Sequence, residues 1–215
     1  MLGKFPFRIL VLTGVLAVSL AAPVWAGAQR EEALADTVRT AMQRSISDRI
    51  EPRLVFDNPA VGEAWIAEMS DRLGRLPRFK DDTDGFVRRK LLTSIQYEAT
   101  RAGLDPQLVL GLIHVESGFN RYAVSVVGAR GLMQVMPFWQ RAIGTEEQNL
   151  FDMNTNLRYG CTILRHYLDI EKGDLFRALG RYNGSLGKAE YPNLVYGAWK
   201  RHFDWSPPPG NLAQR

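Results

Sequence analysis

The amino-acid sequence predicts an all-α fold. In several segments apolar residues recur at intervals of three and four, which is the spacing of one face of an α-helix. The dipeptides Asn58-Pro59 and Asp105-Pro106 each place a capping side chain before a proline suited to the first helical turn. Alternation of apolar and polar residues with the period of a β-strand is almost absent. For 215 residues we therefore expect one main domain of helices joined by loops.

Each predicted helix is bounded by a capping residue or a helix breaker. In chain order the predicted helices run from Pro59 to Leu73, from a cap at Asp84 to a stop at Gly103, from Pro106 to a stop at Gly118, over a short stretch after Gly131 with Pro137 near its end, from Asn154 to Glu171, from a cap at Asp174 through Leu179, and from Asn193 to Phe203. The second helix is expected to bury Phe86, Leu91 and Ile95. Residues 118–131 lack a long apolar period and are expected to form a loop.

The beginning of the chain is expected to be a cleavable export signal and not part of the fold. Lys4 and Arg8 precede an apolar run at residues 9–22, and the small residues Val24 and Ala26 occupy the positions that a signal peptidase reads. The apolar run is shorter than the ~20 residues that a spanning helix needs. A retained membrane anchor is the alternative. We expect cleavage after Ala26, a periplasmic protein, and no stable membrane span after cleavage.

Charge and cysteine content exclude several classes of function. The chain has 27 basic and 23 acidic residues, and removal of the signal leaves 25 basic residues. This balance is too weak to indicate a nucleic-acid partner. Cys161 is the only cysteine, so an intrachain disulfide and a cysteine-based metal site are excluded, and a buried, inert thiol is expected. The three histidines lack metal-ligand spacing, so we expect neither a metal nor a cofactor.

Glu116 is the candidate proton donor of the chain. It ends a helix whose other inward residues are Leu108, Val109, Leu112 and Ile113. A carboxyl that continues an apolar face should be desolvated, and desolvation raises its pKa. A carboxyl that stays protonated near neutral pH can protonate the leaving oxygen of a glycosidic bond. The alternative is a glutamate near a helix end that faces solvent, and spacing alone favours that alternative.

The residues around Glu116 resemble the signature of the soluble lytic transglycosylase catalytic domain. The first block runs from Glu116 to Asn120, and Ser125 and the segment 128–137 follow it with the family's spacing. Residues 149–160 resemble the second block, and residues 178–184 resemble the third, which contains a Tyr-Asn pair. The resemblance covers roughly residues 90–203, about half the chain. Because three blocks occur in order, the resemblance is specific.

The resemblance implies a lysozyme-like helical domain, of the SLT and goose-type kind, that cleaves peptidoglycan glycan strands. In that family one glutamate protonates the leaving oxygen of the β-1,4 bond between N-acetylmuramic acid and N-acetylglucosamine. It then acts as a base on the muramoyl 6-hydroxyl, which closes a 1,6-anhydro ring. Glu116 occupies this position. Ordinary glycosidases use two carboxylates, and the other candidates here, Asp152, Glu146 and Glu190, have no special setting.

The resemblance also implies five substrate-binding residues. Ser125 aligns with a family serine that lies near the substrate acetamido group and the catalytic carboxyl. Met133 aligns with a residue that forms an apolar wall beside the acid, and Gln134 aligns with a glutamine that contacts sugar. Tyr182 aligns with the tyrosine whose hydroxyl reaches the catalytic carboxyl, and Asn183 either shapes a turn or contacts sugar. From the residues alone, Ser125 is equally suited to a local turn bond and Met133 to core packing.

Four further aromatic residues are candidates for stacking on sugar faces. They are Tyr122, Trp139, Tyr191 and Trp199, and for Trp199 core packing is the favoured interpretation. The chain also departs from the family pattern: Arg121 stands where many members have proline, and Gly184-Ser185 replaces an Ala-Gly pair. These departures leave open which subsites hold the strand, and whether cutting occurs at chain ends or within chains.

The predicted organisation has four parts. Residues 1–26 are the signal peptide, 27–85 an N-terminal helical extension that is partly disordered, 86–205 the catalytic domain, and 206–215 a flexible tail. A goose-type-like lysozyme that activates water and an inactive peptidoglycan-binding scaffold remain as alternative functions. The expected partner is the glycan strand, and a partner in the cell-envelope machinery is left open.

Overall fold

The computed structural model describes residues 29–48, 50–83 and 85–207, and these residues are organised by α-helices. Extended pairing within them is confined to isolated bridges that join Arg130 to Val124 and to Val135. The helices are α1 (Asp36–Ser47), α2 (Pro59–Gly74), α3 (Phe86–Arg101), α4 (Pro106–Ser117), α5 (Phe138–Ile143), α6 (Met153–Ile170), α7 (Leu175–Asn183) and α8 (Glu190–Ala198). A 3₁₀ turn (Pro77–Phe79) follows α2, and a π-helical turn (Trp199–Phe203) continues α8. The all-α prediction is confirmed for the described residues.

Side-chain caps begin four of these helices. The capping acceptors are Asn58 for α2, Asp105 for α4, Asp152 for α6 and Asp174 for α7, and each accepts a hydrogen bond from a first-turn amide. The predicted caps at Asn58, Asp105 and Asp174 are therefore confirmed. The predicted cap at Asp84 lies outside the described residues. At the start of α3 the Asp82 carboxylate accepts from the amides of Val87 and Arg88.

Three sequence predictions about the helices were wrong. Pro137 precedes α5 and does not end a helix, because a proline lacks the amide hydrogen that an interior position needs. Phe86 is 69% exposed instead of buried, since it occupies the first position of α3, beyond the face that packs on α2. The last helix begins at Glu190, three residues before Asn193, so that Tyr191 falls in its first turn.

Helix α4 lies at the centre of the fold. Its residues Leu108 to Ile113 are all buried, including those on opposite faces, which is typical of a helix enclosed by its neighbours. It packs against α3, α8 and the π-helical turn. Gly111 permits the closest of these contacts, because a Cβ at that position would lie 2.8 Å from the backbone nitrogen of Trp199. The end of α4, where Glu116 lies, is therefore held from several sides.

The described part of the N-terminal extension packs on the predicted catalytic domain. Helix α1 contacts α5 and α6, and α2 contacts α3. Met42 and Ile46 of α1 and Trp65 and Leu73 of α2 belong to the same cluster of buried residues as α4 and α6. The hydrophobic core thus continues across residue 85. Among the described residues, no helix combines the length and apolar character that crossing a bilayer requires.

Candidate active site

Glu116 occupies the last turn of α4 and is almost completely buried, with 5% of its surface exposed. The hydroxyl of Tyr191, in the first turn of α8, donates a hydrogen bond to its Oε1 atom. Tyr191 is buried as well. The two residues meet because α8 packs along α4, which brings the beginning of one helix to the end of the other. The predicted desolvation of Glu116 is therefore present in the structure.

Burial makes Glu116 a weak acid. Removal of the carboxyl from water raises its pKa from 4.5 to about 8, and the hydrogen bond from Tyr191 opposes that rise only in part. The pKa of Tyr191 is raised well above its usual value, first by burial and then by the negative charge of Glu116. Near neutral pH both groups therefore carry their protons. Tyr191 remains a donor, and Glu116 is a carboxylic acid.

The two oxygens of Glu116 differ in their surroundings. Oε1 accepts from Tyr191, whereas Oε2 is buried and has no hydrogen-bond partner among the described residues. Oε2 is therefore the oxygen that no protein group in the described ranges occupies. Burial and the tyrosine bond are the causes of the pKa shift, so no neighbouring carboxylate within the described chain perturbs the acid. Asp152, Glu146 and Glu190 are all exposed, and Asp152 caps α6.

The turn at residues 130–136, here called the clamped loop, follows Glu116 in the chain and is held by side chains from three helices. Ser117 of α4 donates to the Leu132 carbonyl at 2.7 Å. Asn156 of α6 accepts from the Met133 amide at 2.8 Å and donates to the carbonyls of Arg130 and Leu150. Tyr182 of α7 supplies a further bond, to the Met133 carbonyl. Ser117, Asn156 and Tyr182 belong to the first, second and third block of the sequence signature, respectively.

Tyr182 makes no hydrogen bond to Glu116 among the described residues, so its hydroxyl does not make the bond to the carboxyl that the alignment implied. The hydroxyl donates instead to the Met133 carbonyl at 2.7 Å, and the side chain has no exposed surface. Tyr191 makes the bond to Glu116. The sequence predicts only sugar stacking for Tyr191, because nothing in the spacing of residues 116 and 191 indicates that α8 begins beside the end of α4.

Gln134 is part of the architecture of the clamped loop. It has a left-handed backbone with φ of 49°, which is unusual for a residue other than glycine. Its side-chain amide donates to the carbonyls of Gly131, at 2.9 Å, and Ala123, at 3.3 Å. Gly131 has φ of 77°, and a Cβ there would lie 2.3 Å from Asn156. Gln134 and Gly131 thus allow a tight turn close to α6.

The remaining predicted substrate-binding residues have local partners. Ser125 is half-buried, and its hydroxyl accepts from the Ala129 amide, which is the local turn bond that the residues alone allowed. Met133 is fully buried and packs against α6, where Gly160 leaves room for its sulfur. Asn183 donates to the Ser185 hydroxyl, while its Oδ1 atom is buried without a partner among the described residues.

A cleft of about 880 Å³ opens beside the loops that follow Glu116. Phe86, Val87 and Lys90 of α3 line one side, and the beginning of α6 lines the other. Phe119 and Leu132 contribute to it from the loops that follow Glu116, but Glu116 itself does not line it.

Comparison with known proteins identifies a matching family. Residues 93–196 match the family described as Transglycosylase SLT domain. A protein named Transglycosylase from Enterobacteria phage PRD1 is 40% identical over 88 residues, which are 41% of this chain and 32% of the phage protein. Membrane-bound lytic murein transglycosylase C of Haemophilus influenzae strain PittEE is 34% identical over 115 residues, which are 46% of this chain and 32% of the relative.

A shorter match has higher identity. Membrane-bound lytic murein transglycosylase C of Actinobacillus pleuropneumoniae serotype 5b is 51% identical over 49 residues, 23% of this chain and 13% of the relative. The chain therefore spans a third or less of the length of these curated relatives. Glu116 and Tyr191 lie within the residues matched to the family, whereas helices α1 and α2 lie outside them.

Proposed function

The chain contains a Transglycosylase SLT domain at residues 93–196, and on that premise we propose that it is a lytic transglycosylase of peptidoglycan. Its substrate is the β-1,4 bond between N-acetylmuramic acid and N-acetylglucosamine, and its product is a 1,6-anhydromuramoyl end. Glu116 serves as the sole acid and base. The observation that carries this proposal is a buried, protonated carboxyl with one oxygen on Tyr191 and the other without a protein partner.

The proton on Glu116 Oε2 is transferred to the glycosidic oxygen as the bond to C1 of the muramoyl residue breaks. The leaving N-acetylglucosamine takes that proton and the bonding electrons. The carboxylate that remains is stabilised by the hydrogen bond from Tyr191. It next removes the proton of the muramoyl 6-hydroxyl, and that oxygen forms the new bond to C1. The acid is thereby regenerated, and no water is consumed.

A second enzyme carboxylate is unnecessary in this scheme. The 2-acetamido group of the substrate can support the positive charge at C1, a role that a second carboxylate has in ordinary glycosidases. The exposed positions of Asp152, Glu146 and Glu190 agree with a single-carboxyl mechanism. Deep burial also keeps bulk water away from Glu116, which favours attack by the 6-hydroxyl over hydrolysis.

The predicted substrate-binding residues have two kinds of role in this proposal. The unpaired Oδ1 atom of Asn183 is an acceptor for a sugar hydroxyl or amide, and the half-buried Ser125 lies where the loop meets solvent. Met133, Gln134 and Tyr182 support the site from the protein interior, since each is at most 1% exposed. The assignment of all five to the substrate site comes from the family signature.

Digestion of purified peptidoglycan tests the activity. We expect muropeptides that are lighter by one water than hydrolytic products, detected by mass spectrometry, and we expect Glu116→Gln to lower the rate by several orders of magnitude because glutamine cannot supply the proton. Products with reducing ends would instead indicate a lysozyme-type hydrolase. Binding to sacculi without soluble products would indicate a scaffold. Wild-type activity in Glu116→Gln would show that the acid is another residue.

We also propose that the protein acts in the periplasm after removal of residues 1–26. The support is the signal-like start of the sequence together with the cell-wall substrate. Recovery of the protein from the periplasmic fraction with Gly27 as its first residue is the expected result. An unprocessed N-terminus in the membrane fraction would favour the retained anchor.

A further inference from the structure

The first described residue of the N-terminal segment lies inside the fold, against the clamped loop. Gln29 is 5% exposed although it precedes the first helix by several residues. Its Oε1 atom accepts from the indole nitrogen of Trp139 at 2.9 Å and from the Met136 amide at 3.4 Å. Its Nε2 atom donates to the Gln134 carbonyl at 3.3 Å. One side chain therefore binds both ends of the turn that follows Met133.

Other residues near Gln29 in the chain also contact the fold. Glu32 forms an ion pair with Arg181 at 3.1 Å, and Arg181 is the residue before Tyr182. Leu34 and Val38 pack against the hydrophobic core. Residues 29–34 thus connect α5, the clamped loop and α7 before α1 begins. Because several independent contacts hold the segment, the position of Gln29 does not rest on its own bonds.

The bonds from Gln29 complete a pattern. Three consecutive residues of the clamped loop are held by side chains through their backbone groups. Ser117 binds residue 132, Asn156 and Tyr182 bind residue 133, and Gln29 binds residue 134. The first three side chains come from α4, α6 and α7, within the residues matched to the family. Gln29 lies outside that match and binds the residue with the strained, left-handed backbone. A strained residue persists where surrounding contacts determine its conformation.

We propose that Gln29 is a positioning residue of the active site, which holds Gln134 and Met136 so that the clamped loop keeps its catalytic geometry. This inference rests on the proposed transglycosylase function. Gln29 does not touch the reacting atoms. It acts through Gln134, whose side chain holds Ala123 beside the predicted substrate residue Ser125. A segment outside the matched family domain is thereby made part of the enzyme's active unit.

Gln29→Met tests the proposal, because methionine retains the length and approximate volume of glutamine and removes all three hydrogen bonds. With soluble, uncrosslinked glycan strands we expect kcat to fall about tenfold, as small displacements of catalytic groups commonly cost that much or more, and KM to change less than twofold. Gln29→Glu retains the acceptor for Trp139 and loses the donor to Gln134. It should recover the Trp139 bond without restoring kcat.

Gln96→Met is the matched control. Gln96 is also buried, and its amide binds both the carbonyl and the amide of Val55, far from the clamped loop in the chain. We expect it to lower the unfolding temperature about as much as Gln29→Met and to leave kcat unchanged. If both variants lower kcat equally, the effect of Gln29 is general destabilisation, and the proposal is overturned.

A readout independent of turnover separates this proposal from the proposed function. The indole N–H resonance of Trp139 and the hydrogen exchange of the Met136 amide, measured in protein purified from full-length expression, should both change in Gln29→Met and remain unchanged in Gln96→Met. If the wild-type protein lacks transglycosylase activity while these signals change, the proposed function fails, but the structural part of this proposal, that Gln29 holds Gln134 and Met136, is supported. Unchanged signals, or a kcat of Gln29→Met within twofold of an active wild type, overturn the positioning role of Gln29.

Discussion

At the scale of single residues, the chemistry depends on the environment of Glu116. The folded protein keeps this carboxyl protonated, because its surroundings are apolar and Tyr191 supplies only one hydrogen bond to the charged form. Such an arrangement favours catalysis at the expense of stability. An ionised Glu116 is costly in the folded protein, whereas in the unfolded chain it is solvated by water.

Substitution of Glu116 by glutamine should therefore change how stability depends on pH. The folded-state pKa of about 8 lies above the unfolded value of 4.5, so the folded protein binds the proton more tightly. Stability from this group is fully present below pH 4.5 and is lost as the pH rises towards 8. Glu116→Gln lacks that loss. Denaturant unfolding at pH 5 and pH 8.5 should show wild type losing on the order of 3 kcal/mol more than the variant. Equal losses would contradict the raised pKa.

Substitution of Tyr191 by phenylalanine should weaken catalysis and shift its pH dependence. The hydroxyl stabilises the charged form of Glu116, so its removal raises the pKa of that carboxyl further. The alkaline limb of kcat/KM should move to higher pH, and kcat should fall about tenfold to a hundredfold with loss of a hydrogen bond to a charged group. Rate profiles from pH 5 to 10 measure both effects. Tyr196→Phe, an exposed tyrosine on the same helix, should leave the profile unchanged.

At the scale of elements, the clamped loop explains why the three blocks of the signature occur together. Ser117 follows Glu116, the proposed catalytic acid, on α4, Asn156 lies on α6, and Tyr182 lies on α7. All three bind backbone groups of residues 130–133. The three blocks therefore specify one turn that is held by side chains from three helices. Among the predicted site residues, only Glu116 is an acid that can transfer a proton.

Close packing of α4 against the π-helical turn is the second property at this scale. In Gly111→Ala the new Cβ would lie within 3 Å of Trp199 backbone atoms, so one of the two elements must shift. We expect a loss of about 1–3 kcal/mol and a lower unfolding temperature. Gly197→Ala is the control on α8, where the nearest atom is 3.7 Å away. It should keep or raise stability, since alanine has the higher helix propensity. Equal unfolding temperatures would argue against a tight α4 crossing.

At the scale of the whole molecule, a largely buried ionic network joins helix α1 of the N-terminal extension to helices α3 and α6. Glu98 of α3 has no exposed surface, and it pairs with Arg101 on the same helix and with Arg158 of α6 at 2.9 Å each. Arg101 also donates to the Ser45 carbonyl on α1. Because these charges are largely removed from water and neutralise one another, removal of one partner leaves the opposite charges without compensation.

Glu98→Ala should therefore destabilise the entire protein by about 3–5 kcal/mol, the usual cost of breaking a buried ion pair from one side. Chemical unfolding at neutral pH measures the effect. Asp71→Ala removes an exposed pair with Arg75, and it should cost less than about 1 kcal/mol. If the two variants lose the same free energy, the network contributes no more than a surface pair.

Most helices could be predicted from the sequence because the signals are local. Asn58, Asp105 and Asp174 cap their helices as expected, and the helix ending at Glu116 has the predicted bounds to within one or two residues. Errors occurred where distant contacts outweigh local preference. The segment after Gly131 forms a turn because Asn156 binds its backbone, and that side chain is remote in sequence.

By itself the sequence determined the all-α class and the resemblance to the Transglycosylase SLT domain, since periodicity, capping and ordered motifs are properties of neighbouring residues. Only the tertiary structure decided that Tyr191, and not Tyr182, binds the acid, and that Gln29 contacts the clamped loop. These contacts join residues separated by 75 and 105 positions. The packing of helices places them, and no local pattern encodes which of two buried tyrosines faces a given carboxyl.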